Sequence, residues 1–161
     1  MEAYRLTGMA KINGAVEYIC SLLENDVKLL IFAHHLLILD RIQENLEKKK
    51  IKFIRIDGNV QMGERQNRVD AFQTKSEIMA ALLGITAAGV GLTLTASSTV
   101  VFAEMHWTPA LMLQAEDRAH RIGQESSVNC HYLVGEGTLD SLLYSFFLRK
   151  SQNVSSFVDG T

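Results

Sequence analysis

The 161-residue sequence carries little net charge, with 16 Lys and Arg against 18 Asp and Glu for a formal balance of −2. A domain held to nucleic acid by bulk charge would be basic. Any nucleic-acid contact must therefore be local, made by a few loops. No apolar run approaches the roughly 18 residues of a membrane span, and residues 1–11 have no signal-peptide core. The expectation is a soluble, non-secreted protein with no membrane partner. The two cysteines, Cys20 and Cys130, stand far apart with no C-x-x-C spacing, which argues against a zinc site or a disulfide. Both read as small core hydrophobes in a reducing compartment. Neither repeats nor a Pro-rich linker interrupt the chain, so one domain is expected. Two nucleotide motifs are also missing. There is no G-x-x-x-x-G-K-[ST], the loop that cradles phosphates, and no D-E-x-[DH] run for magnesium and an attacking water.

What is present is an alternation of helical and strand patterns. Apolar residues at 12, 16, 19, 20 and 23 follow helical spacing over 11–24, which Asn25-Asp26 breaks. Val27 to Ala33 is a near-continuous apolar run, as in a strand buried on both faces of a parallel sheet. Leu36, Leu39, Ile42 and Leu46 predict a helix that ends at the Lys48–Lys50 run. Ile51–Ile56 reads as a strand stopped by Asp57-Gly58, followed by a helix over 63–73 with Val69 and Phe72 inward. Further strands are expected at Ile78–Leu83, Thr99–Ala103 and Val128–Val134, with helices at 109–122 and 138–150. This pattern predicts a single α/β domain over 1–150, with a mostly parallel sheet and helices on both faces. Residues 151–161 read as a polar tail or linker.

The helix predicted over 109–122 opens with Thr108 as N-cap and Pro109 at N1, and Gly123 follows its end. Leu111, Ala115, Ala119 and Ile122 fall on one narrow stripe. Gln114, Arg118 and Arg121 fall on a second, about a quarter turn away at 100° per residue. Guanidinium forks bind phosphate oxygens bidentately and stay charged, so this stripe suits a triphosphate. Its alternative is a solvated face paired with Glu116 or Asp117.

The eleven residues Gln114–Gln124, QAEDRAHRIGQ, closely resemble motif VI of the Swi/Snf-type DNA translocases of helicase superfamily two. The resemblance extends over about residues 11–150. By it the domain is a RecA-like C-terminal helicase lobe, Arg118 and Arg121 are arginine fingers, and Gln114 helps place the nucleotide. Phe32-Ala33-His34-His35 resembles motif IV, which lies near the DNA backbone, although a His pair after a strand also serves as a cap or loop contact. Arg55-Ile56-Asp57-Gly58 with Glu64-Arg65 resembles motif IVa. By the resemblance Asp57 and Gly58 are candidate DNA contacts; Gly58 is expected to take a positive φ, and Asp57 and Arg65 either pair with each other or touch a ligand. Residues 84–95, GITAAGVGLTLT, resemble motif V, with Gly89 and Gly91 allowing close backbone approach to an anion.

Motif V departs from the wider family by lacking its basic residue, and residues 76–117 contain no Lys or Arg. Phosphate contacts there would fall to Thr86, Thr93 and backbone amides, with a shallow salt dependence. Glu104 and Thr108 also depart from the family's usual Asp and Asn. These departures are similar to the annealing-helicase branch, in particular its zinc-finger members that act at stalled replication forks. Trp107 is expected in the core or between lobes rather than stacked on a base.

The resemblance implies a nuclear, DNA-dependent ATPase of replication-fork restart and DNA repair. It implies ATP and Mg in the two-lobe enzyme, a first RecA-like lobe as partner, and duplex or forked DNA with replication or repair proteins. No metal is assigned to this lobe, and with the two nucleotide motifs missing the lobe should be inactive alone. The alternatives are the second lobe of a chromatin remodeller or an RNA helicase, or a non-catalytic RecA-like interaction module. The RNA-helicase motif usually reads Q-x-x-G-R-x-G-R, which Asp117 and the Ile122-Gly123-Gln124 ending do not match.

Overall fold

A computed structural model of the chain describes residues 2–87, 92–106, 108–120, 127–134 and 139–158. The order is α1 (Glu2–Glu24), β1 (Leu29–Ala33), α2 (Leu36–Lys48), β2 (Lys52–Ile56), α3 (Met62–Thr74), β3 (Ile78–Gly84), β4 (Thr99–Phe102), α4 (Pro109–Glu116), β5 (Asn129–Tyr132) and α5 (Leu139–Val158). The five strands form one sheet in the order β2-β3-β1-β4-β5. All four pairings are parallel.

Side chains that alternate along each strand sort into two cores. Leu30, Phe32, Ile54, Ile56, Ala81 and Leu83 face α3, α4 and α5 through Val69, Phe72, Met112, Ala115, Leu143 and Phe147. Leu29, Ile31, Ala80, Leu82 and Val101 face α1 and α2 through Ile12, Ile19, Leu23, Ile38, Leu39, Ile42 and Leu46. The central strands are covered on both sides, which is why they read as unbroken apolar runs. Phe32, Phe102 and Tyr132 stack in sequence across β1, β4 and β5, with centroids 5.2 and 5.1 Å apart.

Helices α1 and α2 end on left-handed residues, Asp26 at φ 59° and Lys50 at φ 57°. After α2, the Ile51 amide donates to Leu46 O at 3.0 Å and the Lys50 amide to Glu47 O at 3.1 Å, closing the helix end in the Schellman manner.

Several expected details differ. Gly58 has no positive φ and open space where a Cβ would sit. Asp57 makes that turn instead: its carbonyl accepts from the Val60 amide at 3.1 Å and its side chain from the Asn59 amide at 2.8 Å. Leu36, expected on the buried stripe of α2, is 45% exposed, and Ile38 takes the inward position. Helix α1 begins at Glu2 rather than near 11, and α5 continues past Ser151 to Val158, so the expected tail is helical over most of its length.

Helix α4 stops at Glu116 rather than 122. There the Arg118 amide bonds Ala115 O at 3.2 Å and the Ala119 amide bonds Glu116 O at 3.1 Å, both i→i−3, while the Leu94 amide takes Arg118 O at 2.9 Å. A tightened last turn and a tertiary bond end the helix. Its buried residues are Met112 and Ala115, with Leu111 only partly buried, and Ala119 is buried in the turn that follows.

Candidate functional site

In a parallel α/β sheet, ligands gather beyond the carboxyl ends of the strands, at the point where neighbouring strands send their connections to opposite sides. Here that point lies between β1 and β4. The connection from β1 runs to β2 on one side, and that from β4 runs to β5 on the other. His34 and His35 follow β1, and Glu104 and His106 follow β4.

Glu104 joins the two ends. Its side chain is 1% exposed. One carboxylate oxygen accepts the backbone amides of His34 at 3.1 Å and His35 at 2.9 Å, and the other lies 2.7 Å from His35 Nδ1. The carboxylate thus sits at the start of α2, where the helix dipole favours negative charge. The His34 ring packs edge-on against His35 and His106, at 4.8 and 4.9 Å between centroids. Burial, and then the neighbouring His35, hold His34 below the ordinary histidine range. Burial, and then His34, do the same for His106. The Thr108 amide donates to His106 Nδ1 at 2.9 Å, fixing that nitrogen as an acceptor. The sequence singled out Glu104 as a departure from the family's Asp at the end of a strand, and not as the acceptor for the β1–α2 turn. A Glu two residues beyond a strand of buried residues, after Ala103, was the available signal.

Asp57 and Arg65, for which a mutual pair and a ligand contact were both open, meet through the Asp57 carbonyl and not side chain to side chain. The buried Asp57 carboxylate accepts from Arg55 Nε at 2.8 Å and from the Asn59 amide. Burial works to raise its pKa, but the Asn59 amide and the Arg55 charge outweigh it and hold the carboxyl below its usual range. Arg65 instead spends its fork on carbonyls: Val60 O at 2.8 Å, Asp57 O at 3.2 Å and Ala87 O at 3.2 Å. It fastens the β2–α3 turn to the segment after β3. Gly58 and Thr86 are exposed beside it.

The nucleotide candidate Gln114 lies on α4 and the DNA candidate Thr93 on the segment leading to β4. Gln114 and Thr93 are exposed. Arg118 is only 6% exposed. Its Nε donates to Gln114 O at 3.0 Å and an Nη lies 3.5 Å from Leu92 O. Arg118 and Thr93 are thus brought together, whereas the histidine group forms a separate cluster. Arg121, Gly89, Gly91, Gly123 and Trp107 lie outside the described residues. Beside this turn, burial and then Asp117 push Glu116 up to about 7, and burial and then Glu116 push Cys130 up to about 12. Cys20 is buried and Cys130 half-buried.

Among the described residues no His, Cys, Asp and Glu group is arranged to hold a metal ion, and no helix is long and apolar enough to cross a membrane. Gln114 carries an exposed amide with one acceptor and one donor group, and Arg118 a guanidinium that is donor only and rests on carbonyls of its own lobe. A guanidinium can neutralise and position a phosphate, and Glu116 and Asp117 are the carboxyl groups next to it at the end of α4.

The described residues define a parallel α/β lobe, one five-stranded sheet with helices on both faces. The chain belongs to the helicase conserved C-terminal domain family, whose model matches residues 14–123. It is 49% identical over 158 residues to the Mus musculus DNA annealing helicase and endonuclease ZRANB3, covering 98% of this chain and 15% of that protein. It is 51% identical over 148 residues to the Xenopus laevis SWI/SNF-related matrix-associated actin-dependent regulator of chromatin subfamily A-like protein 1, covering 91% and 15%. Among solved structures, the C-terminal part of the Fun30 ATPase domain superposes with a TM-score of 0.76 at 28% identity, covering 82% of this chain and 43% of that one. The chain thus spans about one-seventh of the length of these curated relatives.

Proposed function

We propose that this chain is the second motor lobe of an ATP-dependent DNA translocase of the annealing-helicase kind, working with ATP and Mg in a nucleus at replication-fork restart and DNA repair. A first RecA-like lobe supplies the phosphate loop and the magnesium-binding acids, and duplex or forked DNA runs along the rim. When bound in the cleft between lobes, ATP supplies the phosphoryl group whose transfer closes and opens that cleft. Arg118 and Arg121 neutralise charge on its terminal phosphate, a contribution of about 10³–10⁵ in rate for an arginine finger. Gln114 orients the nucleotide, and the Gly89–Gly91 loop gives it close backbone approach. His34, His35, Thr86 and Thr93 meet the DNA backbone, with Asp57 and Gly58 shaping the turn beside them. Replication or repair proteins engage regions outside this chain.

The observation that carries this reading is the junction of the motif VI turn with the motif V segment, where Arg118 meets Leu92 and Leu94 on either side of exposed Thr93. Reaching a phosphate requires Arg118 to leave Leu92 O, which lies 3.5 Å away against 3.0 Å for Gln114 O. Leu92 O offers the guanidinium one neutral acceptor, whereas a phosphate offers full negative charge and two oxygens for the fork, which favours that exchange.

The test compares the 161-residue chain alone with the two-lobe protein that contains it, in ATP, magnesium and duplex DNA. The isolated chain should show no DNA-stimulated hydrolysis, and the two-lobe protein should show it. Stimulated turnover by the chain alone would overturn the half-site account. A non-catalytic interaction module is the second reading, favoured by the burial of Arg118 within its own lobe. An ATPase rate unchanged by substitution of Arg121 would select it.

A further inference from the structure

The contacts of Arg118 point to a second role for it. We infer that Arg118 is a positioning residue for the DNA contact at Thr93, clamping the Leu92–Leu94 segment onto the end of α4. The inference rests on the proposed reading of Thr93 as a DNA contact, and it adds the device that holds that contact in place.

Three observations support it. The segment leaves β3 and returns to β4 across a long connection, and its apolar residues Leu92 and Leu94 are buried while Thr93 between them is exposed. Arg118 holds both flanks. Its carbonyl accepts the Leu94 amide at 2.9 Å, and its guanidinium lies 3.5 Å from Leu92 O. The same guanidinium is anchored through Nε to Gln114 O at 3.0 Å, one turn back on α4. A planar fork with five donors can span two carbonyls on different elements, which an ammonium on a flexible stem does less well. Thr93 is therefore presented by a short bridge whose two ends meet one residue of the nucleotide-facing turn. When Arg118 turns to a terminal phosphate it loosens the Leu92 end of that bridge, and the Leu94 bond, made by backbone, stays. Nucleotide occupancy and the grip on DNA then share one side chain.

The consequence is a defined energetic coupling. Two residues that act through one contact give non-additive effects, whereas independent ones add. In the two-lobe protein, Thr93→Val, Arg118→Lys and the double variant are compared with wild type. The readouts are the duplex DNA concentration for half-maximal ATPase stimulation and, separately, kcat at saturating DNA. Thr93→Val should raise the half-saturating concentration about two- to tenfold, the range of one net hydrogen bond. Arg118→Lys should raise it by a similar factor, and the double variant should be no worse than the weaker single. Arg118→Lys also lowers kcat through its phosphate contact, which is why the DNA half-saturation is the deciding number. Matching thermal melts show that Arg118→Lys is folded, and Arg118→Gln, which keeps a shorter donor, is the second variant should the lysine melt early. If Thr93→Val changes nothing, the reading of Thr93 as a DNA contact fails. If Thr93→Val acts but its effect multiplies with that of Arg118→Lys, that reading stands and the clamp is refuted.

Discussion

Replacing Glu104 by alanine removes the acceptor for two backbone amides and faces His35 Nδ1 with empty space, at a site 1% exposed. Hydrogen bonds to a charged group contribute about 1.5–3 kcal/mol each, and three of them sharing one carboxylate are not additive. Breaking a buried charged contact by deleting one partner typically costs about 3–5 kcal/mol, and Glu104→Ala is expected in that range. For a chain of this size each kcal/mol lowers Tm by about 2–4 °C, so the melt should fall by roughly 6–20 °C. Glu104→Gln keeps an oxygen for the two amides but turns an NH₂ toward His35 Nδ1, which must then accept, so the loss should be about 1 kcal/mol. The assay is urea unfolding of the 161-residue chain with the midpoint and slope fitted separately; a lower midpoint at unchanged slope reports stability alone. Should Glu104→Ala unfold within about 0.5 kcal/mol of wild type, the size of an ordinary surface change, the claim that this carboxylate ties β4 to the β1–α2 turn is refuted.

Two further predictions concern pH. The folded pKa of Asp57 lies below its unfolded value, so its contribution is present above about pH 4 and is lost as pH falls through the lower folded value. Asp57→Asn should therefore unfold with a flatter acid limb than wild type, measured as midpoint against pH between 5 and 2 on a pH-stat scale of about half-unit steps; equal slopes would contradict the Arg55 and Asn59 contacts. Glu116 has the opposite sign. Its folded pKa is raised to about 7 from 4.5, so the protonated form is favoured on folding and stability is lost as pH rises through that window. Glu116→Gln should gain on wild type as pH goes from about 4.5 to 7 and hold the gain above it. A difference that is constant with pH would show that the burial of Glu116 beside Asp117 has no energetic consequence.

The alternation of strands and helices was legible because a strand buried on both faces has to be apolar throughout. Leu29–Ala33, Ile78–Gly84 and Thr99–Phe102 are such strands. The core positions of α3 followed from spacing alone, with Val69 and Phe72 inward as expected. Contacts made across the sheet were not legible. Glu104 meets His35 because the connection from β3 to β4 crosses β1, a pairing that local pattern does not encode. The early end of α4 was hidden for the same reason: residues 117–122 contain no helix breaker, and the interruption comes from the Leu94 amide taking Arg118 O. Gly58 was misread because a glycine after Asp suggests a left-handed turn, while the Asp57 side chain closes this one without it. Arg118 was placed beside the inward stripe by its angular position, and it is indeed buried there. That its donors rest on carbonyls of its own lobe could be seen only in three dimensions.

The central claim is that this lobe completes a nucleotide site whose other wall belongs to a first lobe. Its most direct test is single-turnover ATP hydrolysis by the two-lobe protein carrying Arg121→Ala, at saturating duplex DNA and with ATP binding measured in parallel. The account predicts near-normal ATP affinity with the hydrolysis rate down by about 10³-fold or more. A rate within about twofold of wild type, about 0.4 kcal/mol in the barrier, would contradict it.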